Sequence, residues 1–333
     1  MPDSFIGCDW GTTGFRLALV TGHGRGEEGT DVILLTEREP GKWPRGIAET
    51  FSQWQASGES DRQRWYRGKL IAAVRDAIAP FGDDVSDLPV VVSGMASSSL
   101  GILEIPYSRA PFPLHGASVR WSELSSADSC KVHVLSGVCA TEDIIRGEET
   151  QVMGLAHAWG VDALNGRTLV MPGTHSKHVV VEDGSLVSVK TFMTGELFAL
   201  FSTHSVLRHS VRTEIPAPES VGDALRRGLD AGVDGEMPSR LFSIRAGHVL
   251  GSGQEADRTG FLLGLLIGAE LGTLLNFPGE LLLCSGSRQA AYYRFAMAHL
   301  FPKNHQVMDD GLVERSAFLG QAVWWFNSEN RQP

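Results

Sequence analysis

Phe5-Ile6-Gly7-Cys8-Asp9-Trp10-Gly11-Thr12-Thr13-Gly14-Phe15-Arg16-Leu17-Ala18-Leu19-Val20 is the stretch on which the reading of this chain turns. Phe5 to Cys8 and Phe15 to Val20 are apolar apart from Arg16, and a short segment rich in Gly and Thr joins them. Two strand-like runs with such a connection predict a β-hairpin. Glycines let the backbone approach a ligand closely, and threonine hydroxyls with backbone N–H groups can donate to phosphate oxygens. Asp9 stands where the first strand runs out, a position from which a carboxylate holds Mg²⁺ directly or through water. An ordinary hairpin with a polar turn would read the same way.

A second copy separates the two readings. Thr168-Leu169-Val170-Met171-Pro172-Gly173-Thr174-His175-Ser176-Lys177-His178-Val179-Val180-Val181 repeats the order apolar strand, Gly-Thr turn, apolar strand, and Glu182-Asp183-Gly184 follows it. Gly173-Thr174 lies about half of the 333 residues beyond Gly11-Thr12. Two phosphate-cradling hairpins, one per half, predict duplicated domains facing each other across a cleft. This resembles the actin and hexokinase class of ATP-using proteins. The expected fold is α/β, with two ribonuclease H-like domains at residues 1–165 and 166–333. The first is expected to hold the acceptor site and the second the adenosine site.

Composition sets outer bounds. With 42% hydrophobic and 20% charged residues, the chain has room for two domains, each with its own core. A net charge of −10 argues against a nucleic-acid surface, which needs a basic face. No apolar run reaches the roughly 20 residues of a membrane span, and Met-Pro-Asp-Ser lacks the basic start of a signal peptide. Four scattered cysteines, Cys8, Cys130, Cys139 and Cys284, form neither a disulfide framework nor a metal spacing. The cytoplasm is the expected compartment. The oligomeric state is open, with a homodimer as the candidate.

Along the chain, Asp31 to Glu37 reads as a third strand of a meander, and residues 45–54 and 62–79 as helices, the second stopped by Pro80-Phe81-Gly82. Pro89-Val90-Val91-Val92-Ser93-Gly94-Met95 is an unbroken β-branched run, the mark of a strand buried on both faces. It delivers Ser93, Met95 and Ser97 to a strand end, where open α/β sheets bind ligands. Glu104 and Tyr107 follow in a segment kept irregular by Pro106, Pro111 and Pro113, read as lining the substrate. After the strand 132–137, Thr141 followed by Glu142 and Asp143 reads as a helix start, because acids suit the first turn. That helix would carry Asp143, Arg146, Glu148 and Glu149. In the second half, Thr194 reads as a helix cap, 257–275 as a small-residue helix and 281–287 as a buried strand with its turn. The last helix, 316–326, is expected to pack back on the first domain. His175, His178, His204 and His209 show no metal spacing, and His175 alone is placed in the cleft.

Asp9-Trp10-Gly11-Thr12-Thr13, Arg146-Gly147-Glu148-Glu149-Thr150-Gln151, Pro172-Gly173-Thr174-His175-Ser176-Lys177 and Thr191-Phe192-Met193-Thr194-Gly195-Glu196-Leu197-Phe198 together resemble the 2-dehydro-3-deoxygalactonokinase family. The resemblance spans most of the chain. It implies ATP- and Mg²⁺-dependent phosphorylation of the terminal hydroxyl of a 2-keto-3-deoxy sugar acid in galactonate breakdown. On this reading Gly11, Thr12, Thr13, Gly173 and Thr174 hold the phosphates. Arg16 and Lys177 supply charge, His175 and Gly286 join the nucleotide site, and Asp9 is the metal ligand. The base is expected to be Asp143, as in related sugar kinases, with Glu148 the alternative and Arg146 beside them.

One departure bears on the acceptor. The resemblance implies an Arg in the loop after Gly94-Met95, where this sequence has Ala96-Ser97-Ser98-Ser99. Either Arg109 or another nearby cation then meets the substrate carboxylate, or the substrate is a different, uncharged sugar derivative. Two rivals belong to other classes: a nucleotide or polyphosphate hydrolase of the same fold, and a non-catalytic sugar-acid sensor. The extra polar helix starting at Thr141 and the Ser/Tyr loop favour an organic acceptor over water. An intact Asp9 with both Gly-Thr turns argues against the sensor.

Overall fold

The computed structural model describes residues 3–22, 29–35, 43–82, 87–124, 130–286 and 289–327. The chain divides into two compact units. The first comprises Met1–Asn165, Val181–Ser188 and Gly311–Pro333, and the second Gly166–Val180 and Val189–Asp310.

In the first unit, β1 (Ser4–Trp10) and β2 (Phe15–Gly22) form the expected hairpin, and β3 (Thr30–Leu34) continues it. Thr36 and Glu37 of the expected third strand lie outside the described residues. Helices α1 (Ile47–Ser57) and α2 (Arg62–Ile78) follow. The run of valines becomes β4 (Val90–Gly94), every residue of it buried. β5 (Ser108–Arg109), β6 (Phe112–Pro113), β7 (Trp121–Leu124), β8 (Val132–Leu135), β9 (Val138–Cys139) and β10 (Ile144–Ile145) lead to α3 (Glu148–Trp159). The main sheet has the order β3-β2-β1-β4-β8-β7, with β1, β4 and β8 parallel. A small sheet, β10-β9-β5, stands beside it.

The second unit repeats this plan. β11 (Arg167–Met171), β12 (Ser176–Glu182) and β13 (Ser185–Phe192) make the meander. Helices α4 (Thr194–Thr203), α5 (Gly222–Val233), α6 (Met237–Val249) and α7 (Glu255–Leu271) precede β14 (Leu281–Leu283), α8 (Ala290–Leu300) and β15 (His305–Val307). The strand order β13-β12-β11-β14-β15 matches β3-β2-β1-β4-β8 of the first unit, and β11, β14 and β15 are again parallel. The duplication read from the two Gly-Thr turns is thus present in the strand order. Each unit has its own apolar core, one built around Trp10, Tyr66 and Leu70, the other around Leu225, Leu262 and Leu281. The small-residue reading of α7 has a packing cause: Gly264 and Gly268 meet the backbone of α5 at Leu225 and Leu229.

The last helix, α9 (Asp310–Phe326), belongs from Gly311 onward to the first unit. Its buried Gln321 donates from Nε2 to the Cys8 carbonyl at 2.9 Å and to Ser93 Oγ at 2.8 Å, fastening β1 and β4. No helix of the described residues is long and apolar enough to cross a membrane.

The expected helix start at Thr141 needs correction. Thr141 to Gly147 are not helical: Ile144 and Ile145 pair antiparallel with Cys139 and Val138. The Ala140 N–H closes the tight turn by donating to the Asp143 carbonyl at 2.9 Å. The helix begins at Glu148, after Gly147 at φ 115°. Two adjacent isoleucines prefer an extended partner, and a positive-φ glycine supplies the break.

Candidate active site

Asp9 and Trp10 lie at the end of β1, in register with Ser93 and Gly94 of the parallel β4. Two glycines bring the next segment against that edge. Gly94 has φ 88°, and a Cβ there would stand 2.8 Å from the Trp10 carbonyl oxygen and 3.4 Å from Asp9 Oδ1. Gly147, also at positive φ, would place a Cβ 3.3 Å from Gly94 Cα. Asp9, Gly94 and the start of α3 therefore converge at the carboxyl ends of parallel strands, the place where such sheets bind ligands.

Asp9 Oδ2 accepts from Arg16 Nη2 at 2.5 Å and from Arg16 Nε at 3.1 Å, and Arg16 Nη1 donates to the Glu314 carbonyl at 2.8 Å. All three guanidinium nitrogens are thus engaged inside the first unit, and Arg16 fixes the direction of Asp9. Among the described residues Asp9 Oδ1 accepts no hydrogen bond, which leaves one carboxylate oxygen open.

The first turn is held from behind by a helix start. Ile47 N–H donates to the Gly11 carbonyl at 3.0 Å and Ala48 N–H to the Thr12 carbonyl at 3.2 Å. A Cβ at Gly46 would come within 2.1 Å of that same Thr12 oxygen. With its carbonyls fastened, the turn leaves Thr12 and Thr13 exposed. The second turn, in the other unit, is built alike. Glu196 N–H, at the start of α4, donates to the Thr174 carbonyl at 3.0 Å, and a Cβ at Gly195 would lie 2.6 Å from the Gly173 oxygen. His175 Nε2 bonds Glu196 Oε2 at 2.5 Å. Lys177 is partly buried on β12, and Gly286 is exposed after β14. Ser287 of the expected adenine-side turn lies outside the described residues.

Thr194 does not cap α4 with its side chain, because its hydroxyl is turned inward to Glu270 Oε2. That carboxylate is buried and also takes Tyr293 Oη at 2.6 Å, Ser176 Oγ at 2.6 Å and His178 Nε2 at 3.1 Å. Burial first, and the Glu270 charge second, push the Tyr293 phenol well above its ordinary 10, so it stays a donor. Glu270 ties the second turn's strand to α4, α7 and α8. Sequence reading passes over it because its partners come from three separate segments.

The substrate-side candidates divide. Ser93 is fully buried under Gln321, and Glu104 is exposed. Ser97, Tyr107 and Arg146 do gather, whereas Met95 packs against the first unit's core. Arg146 Nη1 donates to the Ser97 carbonyl and, at 2.6 Å, to Ser97 Oγ. The Arg146 guanidinium carbon stands 4.1 Å from the Tyr107 ring centroid. Arg109 is exposed on β5.

Asp143 sits in the β9–β10 turn, where its Oδ1 accepts from the Ile144 N–H at 2.7 Å. Glu148, at the first position of α3, accepts from the Arg146 N–H at 3.2 Å. Next to it, Glu149 is buried, with Oε2 accepting from the Gly147 N–H at 2.7 Å. Burial first, then the Glu148 charge, raises the Glu149 carboxyl from 4.5 to about 7, against the lowering effect of its hydrogen bonds. The folded chain then keeps a proton that the unfolded chain releases between about pH 4.5 and 7. Stability falls as pH rises through that window and levels off above it, by about 3 kcal/mol in all. Glu149→Gln keeps an acceptor for Gly147 and does not titrate. Its melting temperature relative to wild type should climb steadily from pH 5 to 7; a constant difference would refute the buried titration.

No group of three or more His, Cys, Asp or Glu suited to a metal is present among the described residues. One open carboxylate oxygen is nevertheless what Mg²⁺ needs when phosphates and water supply its other ligands. A cavity of about 670 Å³ among α5, α6 and α7, lined by residues such as Arg227, Asp234 and Arg258, contains none of the site residues.

A duplicated sheet with a fastened Gly-Thr turn in each unit and an acid at the end of β1 is the architecture of the actin and hexokinase class of ATP-using proteins. The family model for 2-keto-3-deoxy-galactonokinase matches residues 9–318, and the chain belongs to that family. The 2-dehydro-3-deoxygalactonokinase of Escherichia coli (strain K12) is 30% identical over 305 residues, covering 89% of this chain and 90% of that one. A "Probable 2-dehydro-3-deoxygalactonokinase" of Rhizobium meliloti (strain 1021) is 30% identical over 289 residues, 83% of this chain and 82% of its own. The crystal structure of "a putative 2-dehydro-3-deoxygalactonokinase protein" from Sinorhizobium meliloti superposes with a TM-score of 0.72 at 25% identity, over 97% of both chains. The chain is a sugar-acid kinase, and ATP use goes with the family.

Proposed function

We propose that the protein transfers the γ-phosphoryl group of ATP to the 6-hydroxyl of 2-dehydro-3-deoxygalactonate, in the cytoplasm, as a step of galactonate breakdown. The observation that carries the reading is the convergence of Asp9, Gly94 and the Gly147–Glu148 helix start, with Arg146, Ser97 and Tyr107 alongside. A water-using hydrolase has no need of an arginine stacked on a tyrosine beside its acid. Four free cysteines suit a reducing compartment.

Phosphoryl transfer asks for positioning, charge neutralisation and a group that orients the attacking hydroxyl. Each Gly-Thr turn offers backbone N–H groups and hydroxyls to the phosphates, with its Thr carbonyl tied to a helix behind it. Asp9 would hold Mg²⁺ through Oδ1, steadied by Arg16. When bound, the metal neutralises charge on the phosphate oxygens. Glu148 takes the hydroxyl proton. It is favoured over Asp143 because it adjoins Gly147, which abuts Gly94 and so the Asp9 edge.

An ADP-release assay across a panel of 2-keto-3-deoxy acids and neutral sugars tests the reading. ADP release that requires 2-keto-3-deoxygalactonate supports it; release at the same rate without any acceptor marks a hydrolase. Asp9→Asn should lower kcat by roughly 10² at saturating ATP with the melting temperature little changed, because lost charge neutralisation acts on the transition state. Near-normal turnover would remove Asp9 from the metal site.

A further inference from the structure

The geometry points to Arg146 as the residue that recognises the carboxylate of the acceptor acid, an assignment that rests on the sugar-acid reading above. Three observations converge on it. Arg146 is partly buried, yet among the described residues no carboxylate side chain lies within ion-pair distance of its guanidinium. Its Nε is buried and has no hydrogen-bond partner. Its plane is fixed in advance, by Ser97 on Nη1 and by the Tyr107 ring at 4.1 Å.

A charged group withdrawn from water without a counter-charge costs free energy, and the cost is relieved when an anion arrives. A guanidinium held in place by neutral neighbours is suited to an oxyanion, and here Nη2 is the nitrogen left to meet it. Tyr107 stacking and the Ser97 contact limit the entropy lost on binding. The ligand this arrangement fits is a carboxylate on a small polar molecule. In a six-carbon 2-keto-3-deoxy acid, the carboxylate and the reacting hydroxyl lie at opposite ends. Arg146 stands two positions before Glu148 and is joined to it through the Arg146 N–H. One short segment thereby offers a group to each end of the acceptor.

The other cations near the serine loop are differently placed. Arg62 Nη1 donates to the Ser99 carbonyl at 2.5 Å at an exposed position, and its guanidinium lies 5.8 Å from the Trp54 ring centroid. Arg109 is exposed on a two-residue strand. Arg62, though partly buried, makes its bond in solvent and lies farther from its ring than Arg146 does, and neither cation is joined to Glu148 as Arg146 is, so the serine loop reads the acid through Arg146.

The test compares kcat/KM for 2-keto-3-deoxygalactonate with that for its C1-reduced, uncharged analogue. Wild type should prefer the acid by roughly 10² or more, since a site built to pair a charged group rejects a substrate that lacks it. Arg146→Ala should reduce the preference to a fewfold by losing activity on the acid while the analogue changes less than about threefold. Arg146→Lys should recover part of it, and added guanidinium ion should rescue Arg146→Ala on the acid alone. Arg62→Ala and Arg109→Ala should keep the preference. Equal losses on both substrates would make Arg146 a structural pin of the Ser97 loop and overturn the assignment. So would a preference that survives Arg146→Ala or vanishes with Arg62→Ala or Arg109→Ala. If Arg146→Ala melts below the assay temperature, Arg146→Lys decides, and an unchanged preference in it overturns the assignment. Wild type that phosphorylates both substrates equally also overturns it but leaves the kinase reading standing; wild type that phosphorylates neither ends both.

Discussion

Glu148→Ala is expected to lower kcat for the sugar acid by roughly 10²–10⁴ while leaving ATP affinity close to wild type, the range for loss of a positioned general base. The carboxylate stands at the first position of α3, beside Gly147, whose backbone touches Gly94 at the edge that carries Asp9. Asp143→Ala should be mild by comparison, because Asp143 lies in the β9–β10 turn and one of its oxygens already accepts from Ile144. Single-turnover rates with both variants check this. If Asp143→Ala abolishes transfer and Glu148→Ala is mild, the roles are reversed. The Arg146 N–H bond to Glu148 would then serve only to start the helix.

The second large effect is on stability. Glu270→Ala is expected to cost roughly 3–5 kcal/mol, the range for removing one partner of a buried charged network. The substitution orphans Ser176, His178, Thr194 and Tyr293 together, in a place water does not reach. Urea unfolding followed by circular dichroism measures it. Glu270→Gln, which keeps the shape and one acceptor oxygen, should lose less. A change below about 1 kcal/mol in Glu270→Ala would mean that the four donors find other partners. Because Ser176 lies two residues past Thr174 of the second Gly-Thr turn, KM for ATP should rise in any Glu270 variant that still folds.

What can be read from the sequence follows from contiguity. The β1–β2 hairpin, its repeat at β11–β12 and the buried β4 are each spelled out by neighbouring residues, as runs of apolar side chains broken by Gly and Thr. The two turns also show why half the chain mirrors the other. Segment 141–147 misleads because Thr141 followed by two acids imitates a helix start, and the isoleucine pair that overrides it passes equally well for a helical face. Glu270 and Gln321 escape notice for a different reason. Their meaning lies in partners roughly 20 to 300 positions away, such as Tyr293 and Cys8, and no local pattern announces such a contact. Arg146 lies between the two cases. Its place in the motif is visible in the sequence, whereas its stacking on Tyr107 and its lack of a counter-ion become visible only in three dimensions.

The fastening of β1 and β4 by Gln321 has a consequence for how the protein is made. Cys8 and Gln321 are separated by nearly the whole chain, so as a ribosome delivers residues in order, the first unit's sheet emerges early and then waits. Until α9 is synthesised, the Ser93 hydroxyl and the apolar face around Phe5, which later meets Trp325, have no cover. Contacts of such long sequence separation slow folding, because the loop must close before the contact gives any return. The nascent first unit is therefore expected to be the segment that occupies chaperones, and the second, nearly continuous unit the one that folds first.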